Sequence, residues 1–156
     1  MVEIFGGEAG TSRVLVRRFN TSVGPNLDLT CGSNLRDSKH IELLFRYFEA
    51  CKPTVAVMGP PCTGLKGWAG IIALINPQGH QQSVENSKAL GRLAAKIAIL
   101  QLSANRHFIV ENPVGSALWE LSDWKRLRAL VARVRLINGN LDCGVDYPQG
   151  CQSKGD

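Results

Sequence analysis

Apolar and polar positions alternate along this chain in a way that predicts strand, helix, strand, helix. Val2–Phe5 is a short apolar run ending in Gly6-Gly7-Glu8-Ala9-Gly10, after which Thr11 or Ser12 is expected to cap a helix reaching about Phe19. Asn26–Thr30 reads as a weaker strand. Ser38 is expected to cap a second helix, in which Ile41, Leu44, Phe45 and Phe48 share one face before Lys52-Pro53 ends it. Val55–Met58 is a buried strand cut short by Gly59-Pro60-Pro61. Residues 62–86 read as a long loop, rich in Gly, Pro, Asn and Gln. Ser87 to about Ala104 is the clearest helix, with Leu90, Leu93, Ala94, Ile97 and Leu100 or Gln101 on one side. A further strand runs from His107 into Glu111, short helical pieces follow at Ser116–Leu121 and Asp123–Leu130, and Val131–Ile137 reads as a half-exposed edge strand. Such alternation implies an α/β fold, a mostly parallel sheet with helices on both faces. Residues 1–137 form the expected core, and 138–156 a polar, Gly-rich tail that opens a C-terminal region lying beyond the chain.

With 156 residues, 44% of them apolar and 20% charged, the chain is long enough to bury one core and too apolar to be disordered. Lys and Arg exceed Asp and Glu by 18 to 13. A net charge of +5 leans only slightly towards a polyanionic partner. The five cysteines, Cys31, Cys51, Cys62, Cys143 and Cys151, form no CxxC pair and no zinc spacing, so no metal is expected. No stretch approaches the roughly 18 apolar residues of a membrane span. The amino terminus lacks the pattern of a signal peptide. Free thiols in a reducing intracellular compartment are the expectation, in the nucleus if the cell is eukaryotic.

In open parallel sheets, ligands bind at the carboxyl ends of the strands. Two such ends carry chemistry here. Cys62 follows Gly59-Pro60-Pro61 at the end of one strand, beside Thr63 and the cation Lys66, and Glu111-Asn112-Pro113 ends another. A thiol near a positive charge gains thiolate character, so Cys62 is a candidate nucleophile, with the Glu111 carboxylate expected to face the same crevice. The ordinary alternatives are a buried structural cysteine and a strand-ending carboxylate. The turn after the first strand is Gly-rich, as a close approach to a nucleotide-like ligand requires, and it leads to a helix terminus whose N–H groups are expected to be free. Asp28, near the end of the second strand, either binds ribose hydroxyls or starts a turn.

Together these motifs resemble the catalytic half of DNA (cytosine-5)-methyltransferases. Phe5-Gly6-Gly7-Glu8-Ala9-Gly10 is similar to that family's first motif, Gly59-Pro60-Pro61-Cys62 to its Gly-x-Pro-Cys motif, and Glu111-Asn112-Pro113 to its Glu-Asn-Val motif, in matching order over roughly residues 2–115. The chain has Thr63 where the family usually has Gln, Pro113 where it has Val, and Asn34 where an adenine-binding Asp is expected. The resemblance implies a Rossmann-like methyltransferase fold that binds S-adenosylmethionine and DNA. It implies Cys62 as nucleophile and Glu111 as acid, with Phe5, Gly7, Gly10, Asp28, Asn34 and Pro60 around the methyl donor. Asn112, Thr63 and Lys66 would face the flipped cytosine. Two other functions stay open: a silent methyltransferase-like fragment that binds nucleic acid or a partner, and an amino-methyltransferase acting on adenine or cytosine. Gly59 and Cys62 occupy places where the latter carries a polar residue and an aromatic.

Overall fold

The structure, a computed structural model, describes residues 1–63, 65, 73–130, 135–137 and 140–142. Strands β1 (Val2–Ile4), β2 (Asn26–Leu27), β3 (Val55–Met58) and β4 (His107–Val110) form a parallel sheet in the order β2-β1-β3-β4. Helix α1 (Gly10–Phe19) joins β1 to β2, and α2 (Ser38–Cys51) returns the chain across β1 to β3. Helix α3 (Pro77–Ser103) links β3 to β4, and α4 (Ser122–Leu130) follows β4. The chain is thus a small α/β domain, a four-stranded parallel sheet flanked by helices in a generic Rossmann-like order. Strands β5 (Arg135–Ile137) and β6 (Asn140–Asp142) pair antiparallel. The second of these falls where a polar tail was expected. The rest of that tail lies outside the described residues, as do residues 131–134 of the expected edge strand.

Strand register decides which side chains become core. Val2 pairs with Ala56 and Ala56 with Phe108, while Ile4 pairs with Met58 and Met58 with Val110. All six are buried. They meet Leu44 and Phe48 of α2, Leu93, Ala94, Ile97 and Ala98 of α3, and Trp124 and Leu127 of α4 in one cluster. The intervening row, Glu3–Val57–Ile109, points to the other face. There α1 covers Glu3, but Ile109 is 52% exposed. The two faces are therefore unequally clad.

Polar groups inside this core are tied down. The Gln101 amide donates to the carbonyls of Pro53 and His107, both at 2.9 Å, and accepts from Arg106 Nε at 2.7 Å. It thereby locks the end of α3 to the starts of β3 and β4. Trp124 Nε1 donates to the Gly91 carbonyl at 3.1 Å and stands edge-to-face with Trp119, centroids 5.4 Å apart. A Cβ at Gly91 would lie 3.2 Å from both Leu118 Cδ1 and Leu121 Cδ1, so the glycine permits this close approach.

Several element ends differ from the sequence expectation, each for a local reason. Neither Thr11 nor Ser12 caps α1, because Ser12 lies inside the helix and is engaged by Glu3. Strand β2 stops at Leu27, since Asp28 caps a 3-10 turn at Leu29–Cys31. Asp37, not Ser38, caps α2, accepting from Lys39 N. The 62–86 loop is shorter than expected: Asn76 accepts from Gly79 N, and Pro77 starts α3 ten residues before Ser87.

Replacing Gln101 with Leu should leave the buried Pro53 carbonyl and the part-buried His107 carbonyl without this donor and lower unfolding free energy by about 2–4 kcal/mol. Urea denaturation reads this directly, and a loss below about 1 kcal/mol would mean the amide is not the clasp described.

Candidate functional site

Parallel strands deliver their carboxyl ends to one edge, and β1 and β3 leave that edge in opposite directions. A cleft of about 330 Å³ opens there, within the size range of small-ligand sites. Phe5 and Gly59 from the ends of β1 and β3 form its floor, and Asp28, Leu29 and Thr30 come from the turn after β2. Residues 33–36, Pro61 and Leu90 of α3 complete it. The walls are apolar at Leu29, Leu35 and Leu90 and polar at Asp28, Thr30, Ser33 and Asn34.

Backbone conformation shapes the turn after β1. Phe5, Gly7 and Ala9 all have positive φ, at 58°, 54° and 60°. For Phe5 and Ala9 such a conformation costs of order 1–3 kcal/mol, which the surrounding contacts hold in place. Gly7 donates its N–H to Asp28 Oδ2 at 3.2 Å, and its carbonyl accepts from Asn26 Nδ2 at 2.7 Å and Thr30 Oγ1 at 2.8 Å. Asp28 Oδ1 accepts from Thr30 N at 2.8 Å and shares the single Thr30 hydroxyl proton with the Gly7 carbonyl, Oγ1 lying 2.8 Å from each. Burial pushes the Asp28 carboxyl up, but the hydrogen bonds from Thr30 and Gly7 together outweigh it and hold the group below its ordinary value. Asp28 therefore starts the turn, one of the two roles expected for it, and it also lines the cleft.

On the other side of the cleft, the ends of β3 and β4 are stitched together. Glu111 N–H donates to the Met58 carbonyl at 3.0 Å, and Gly59 N–H to the Ile4 carbonyl at 3.1 Å. Asn112, 2% exposed, donates through Nδ2 to the Pro60 carbonyl at 2.6 Å, and its Oδ1 is buried without a partner. This bond joins the Glu-Asn segment to the Pro-Pro-Cys segment. Cys62 is half-buried with a free thiol, and its carbonyl accepts from Leu65 N–H at 2.8 Å. Thr63 is exposed and accepts from Ser83 Oγ of α3 at 3.4 Å. Glu111 is exposed.

Of the residues singled out by sequence, Phe5, Asp28 and Asn34 line the cleft itself. Gly7 shapes its turn, and Gly10 opens α1 with nothing within 4 Å of where a Cβ would point. Pro61 rather than Pro60 lines the wall, and Pro60 supplies the carbonyl that Asn112 holds. Lys66 lies outside the described residues. Sequence reading passed over Thr30, Arg36 and Leu90, which line the cleft, and His40, whose Nδ1 accepts from Asn34 N–H at 2.8 Å and fixes that corner. It also passed over Glu3, which it took as part of an apolar strand. Glu3 is buried, and its Oε2 accepts from Ser12 N–H at 2.8 Å and Ser12 Oγ at 2.7 Å. The helix terminus expected to be free is therefore occupied. A carboxylate inside a strand was the available signal. Among the described residues, no three His, Cys, Asp or Glu side chains gather as a metal site, and no helix is long and apolar enough to cross a membrane.

Searched against protein-family models, curated proteins and solved structures, the chain returns no significant match.

A depressed carboxyl stabilises the fold above its unfolded pKa, and that contribution fades as pH falls through the folded value. Asp28→Asn should accordingly lose less stability than the parent chain between about pH 5 and pH 2. Urea titrations at successive pH values test this. Equal acid sensitivity in both proteins would mean that Asp28 is not held as described.

Proposed function

We propose that this domain is a Rossmann-like methyltransferase core that transfers a methyl group from S-adenosylmethionine to carbon 5 of cytosine in DNA through Cys62. One observation carries the reading. The Pro-Pro-Cys and Glu-Asn segments follow adjacent, paired strands, and the Asn112–Pro60 hydrogen bond joins them next to a cleft lined by Phe5, Gly59 and Pro61. An unrelated structural cysteine has no need of that company.

The residues present suit the donor. Leu29, Leu35, Leu90 and Phe5 offer apolar surface to an adenine ring, and the Asp28 carboxylate on the cleft wall is the acceptor proposed for the ribose hydroxyls. S-adenosylmethionine supplies an electrophilic methyl group on a sulfonium, with the neutral thioether as leaving group. DNA is the proposed partner, and the target base would be turned out of its stack to reach the edge of the sheet. The Cys62 thiolate adds to ring carbon 6, forming a carbon–sulfur bond and making carbon 5 nucleophilic. Glu111 in its acid form gives a proton to ring nitrogen 3 as charge develops on the base. Asn112 positions Cys62 by holding the Pro60 carbonyl, while Thr63 flanks the base. Carbon 5 takes the methyl group as the sulfonium–methyl bond breaks, then loses its proton to a base. The Cys62–carbon bond breaks, returning the thiolate, and ring nitrogen 3 gives its proton back to the Glu111 carboxylate.

The test is a covalent trap. Fluorine at carbon 5 cannot leave as a proton does, so an oligonucleotide bearing 5-fluorocytosine should remain joined to Cys62 after methyl transfer. Intact-protein mass spectrometry should show the adduct with the parent chain and donor, and none with Cys62→Ala. Absence of any adduct at saturating donor with a folded chain would overturn the transfer reaction. Donor binding without an adduct would favour a silent binding module.

A further inference from the structure

The crossovers of this sheet leave one face half covered. The step from β1 to β2 runs one way along the sheet, and the steps from β2 to β3 and from β3 to β4 run the other way. Right-handed connections therefore put α1 on one face and both α2 and α3 on the opposite one, where α4 joins them in the core. The α1 face carries Val57 paired with Ile109, and Val55 paired with His107. Val55 and Val57 are half-buried, while Ile109 and His107 are exposed. Strand β6 comes near β4 without covering Ile109. Yet β3 reads Val-Ala-Val-Met, apolar on both sides, the pattern of a parallel strand that is covered on both. Helix α1 shows the same lack of cover. Helical spacing puts Leu15, Val16 and Phe19 on the sheet-facing side with buried Ser12, but Val16 is 46% and Phe19 68% exposed. Among the described residues, no helix packs on the outer side of β3 and β4.

We propose that the outer side of β3 and β4 is a docking surface for an amphipathic helix of a partner protein, apolar on one side and acidic along its flank. This surface is independent of the methyl-transfer reading. Width selects a helix. Two strands about 4.8 Å apart present a strip roughly 10 Å across, the breadth of one packed helix. Charge selects the acidic flank. Arg17 and Arg18, in the last turn of α1, are exposed and pair with no carboxylate among the described residues. His107 stands at the same end of the strip, since α1 runs back towards the amino ends of the strands. A second copy of the chain suits this surface poorly. Its helices carry cations on their exposed sides, Arg46 in α2, Lys88, Arg92 and Lys96 in α3, and Lys125 in α4, and its net charge is +5. Self-docking would set those cations against Arg17 and Arg18, whereas an acidic helix meets both with opposite charge.

Two fluorescent helical peptides of about 18 residues test this, with the same leucine face and either Glu or Lys along the flank. In anisotropy titrations with the full chain, the Glu peptide should bind at least about tenfold tighter than the Lys peptide at low salt. The gap should close as salt rises. Ile109→Glu places a charge in the middle of the apolar strip and should weaken the Glu peptide by about tenfold or more. Ile109 is already exposed, so this variant leaves the core intact. Arg17→Glu with Arg18→Glu leaves the sheet untouched and should reverse the preference between the peptides. Leu43→Glu, on the exposed side of α2, is the control and should change neither affinity. Equal binding of the two peptides, binding of neither, or binding unmoved by Ile109→Glu would overturn the proposal. So would a concentration-dependent dimer in sedimentation that Ile109→Glu abolishes, because the surface would then belong to a second copy.

Discussion

Parallel pairing of β1, β3 and β4 is the constraint from which everything else at the site follows. Because the three strands run the same way and in register, Ile4, Met58 and Val110 finish side by side, and whatever follows each of them must share one edge. The Gly-rich turn, the Pro-Pro-Cys segment and the Glu-Asn segment come from widely separated stretches of chain, yet the sheet gives them no other place to go. Short hydrogen bonds then convert proximity into position: Gly59 to Ile4, Glu111 to Met58, and Asn112 to Pro60. The opposite exits of β1 and β3 leave the gap between them open, and that gap is the cleft.

Two kinds of interaction divide the domain. On one face the core is apolar and continuous, with α2, α3 and α4 packed on Val2, Ile4, Ala56, Met58, Phe108 and Val110. On the other, the link between sheet and helix is a buried carboxylate and a serine. The first arrangement supplies rigidity to β3 and β4, which carry the proposed reacting groups. The second ties α1 to the sheet beside the turn after β1. The two faces of the sheet are therefore built from different materials.

Much of this was legible in the sequence, and the losses have physical causes. The apolar runs of β3 and β4 and the Leu90–Ile97 periodicity are local patterns, and they placed both chemical strand ends correctly at one edge. The Asn76-Pro77 start of α3 was a local signal too, but the polar composition around it reads as loop, since the first turns of that helix carry few core residues. Glu3 and Ser12 were beyond local reading. Their pairing joins a strand to a helix nine residues away, and a single acidic residue among Val, Ile and Phe looks like an exposed position until the helix above it is known. Arg36, Thr30 and Leu90 reach the cleft from three separate segments and share no motif. The Asp28 turn shows the limit differently: its side chain can cap or bind, and only the fold reveals that it lies where both are possible.

The uneven cladding of the sheet has a consequence for how the molecule breathes. Ser12 is the buried residue of α1, and the helix contributes nothing to the apolar cluster, so its attachment is polar and local. Such an element opens at a free energy well below that of global unfolding. Amide hydrogens in α1 should therefore exchange with solvent long before those of α3. A ligand seated against the turn would slow that exchange selectively, linking occupancy of the cleft to the order of the one helix that the core does not hold.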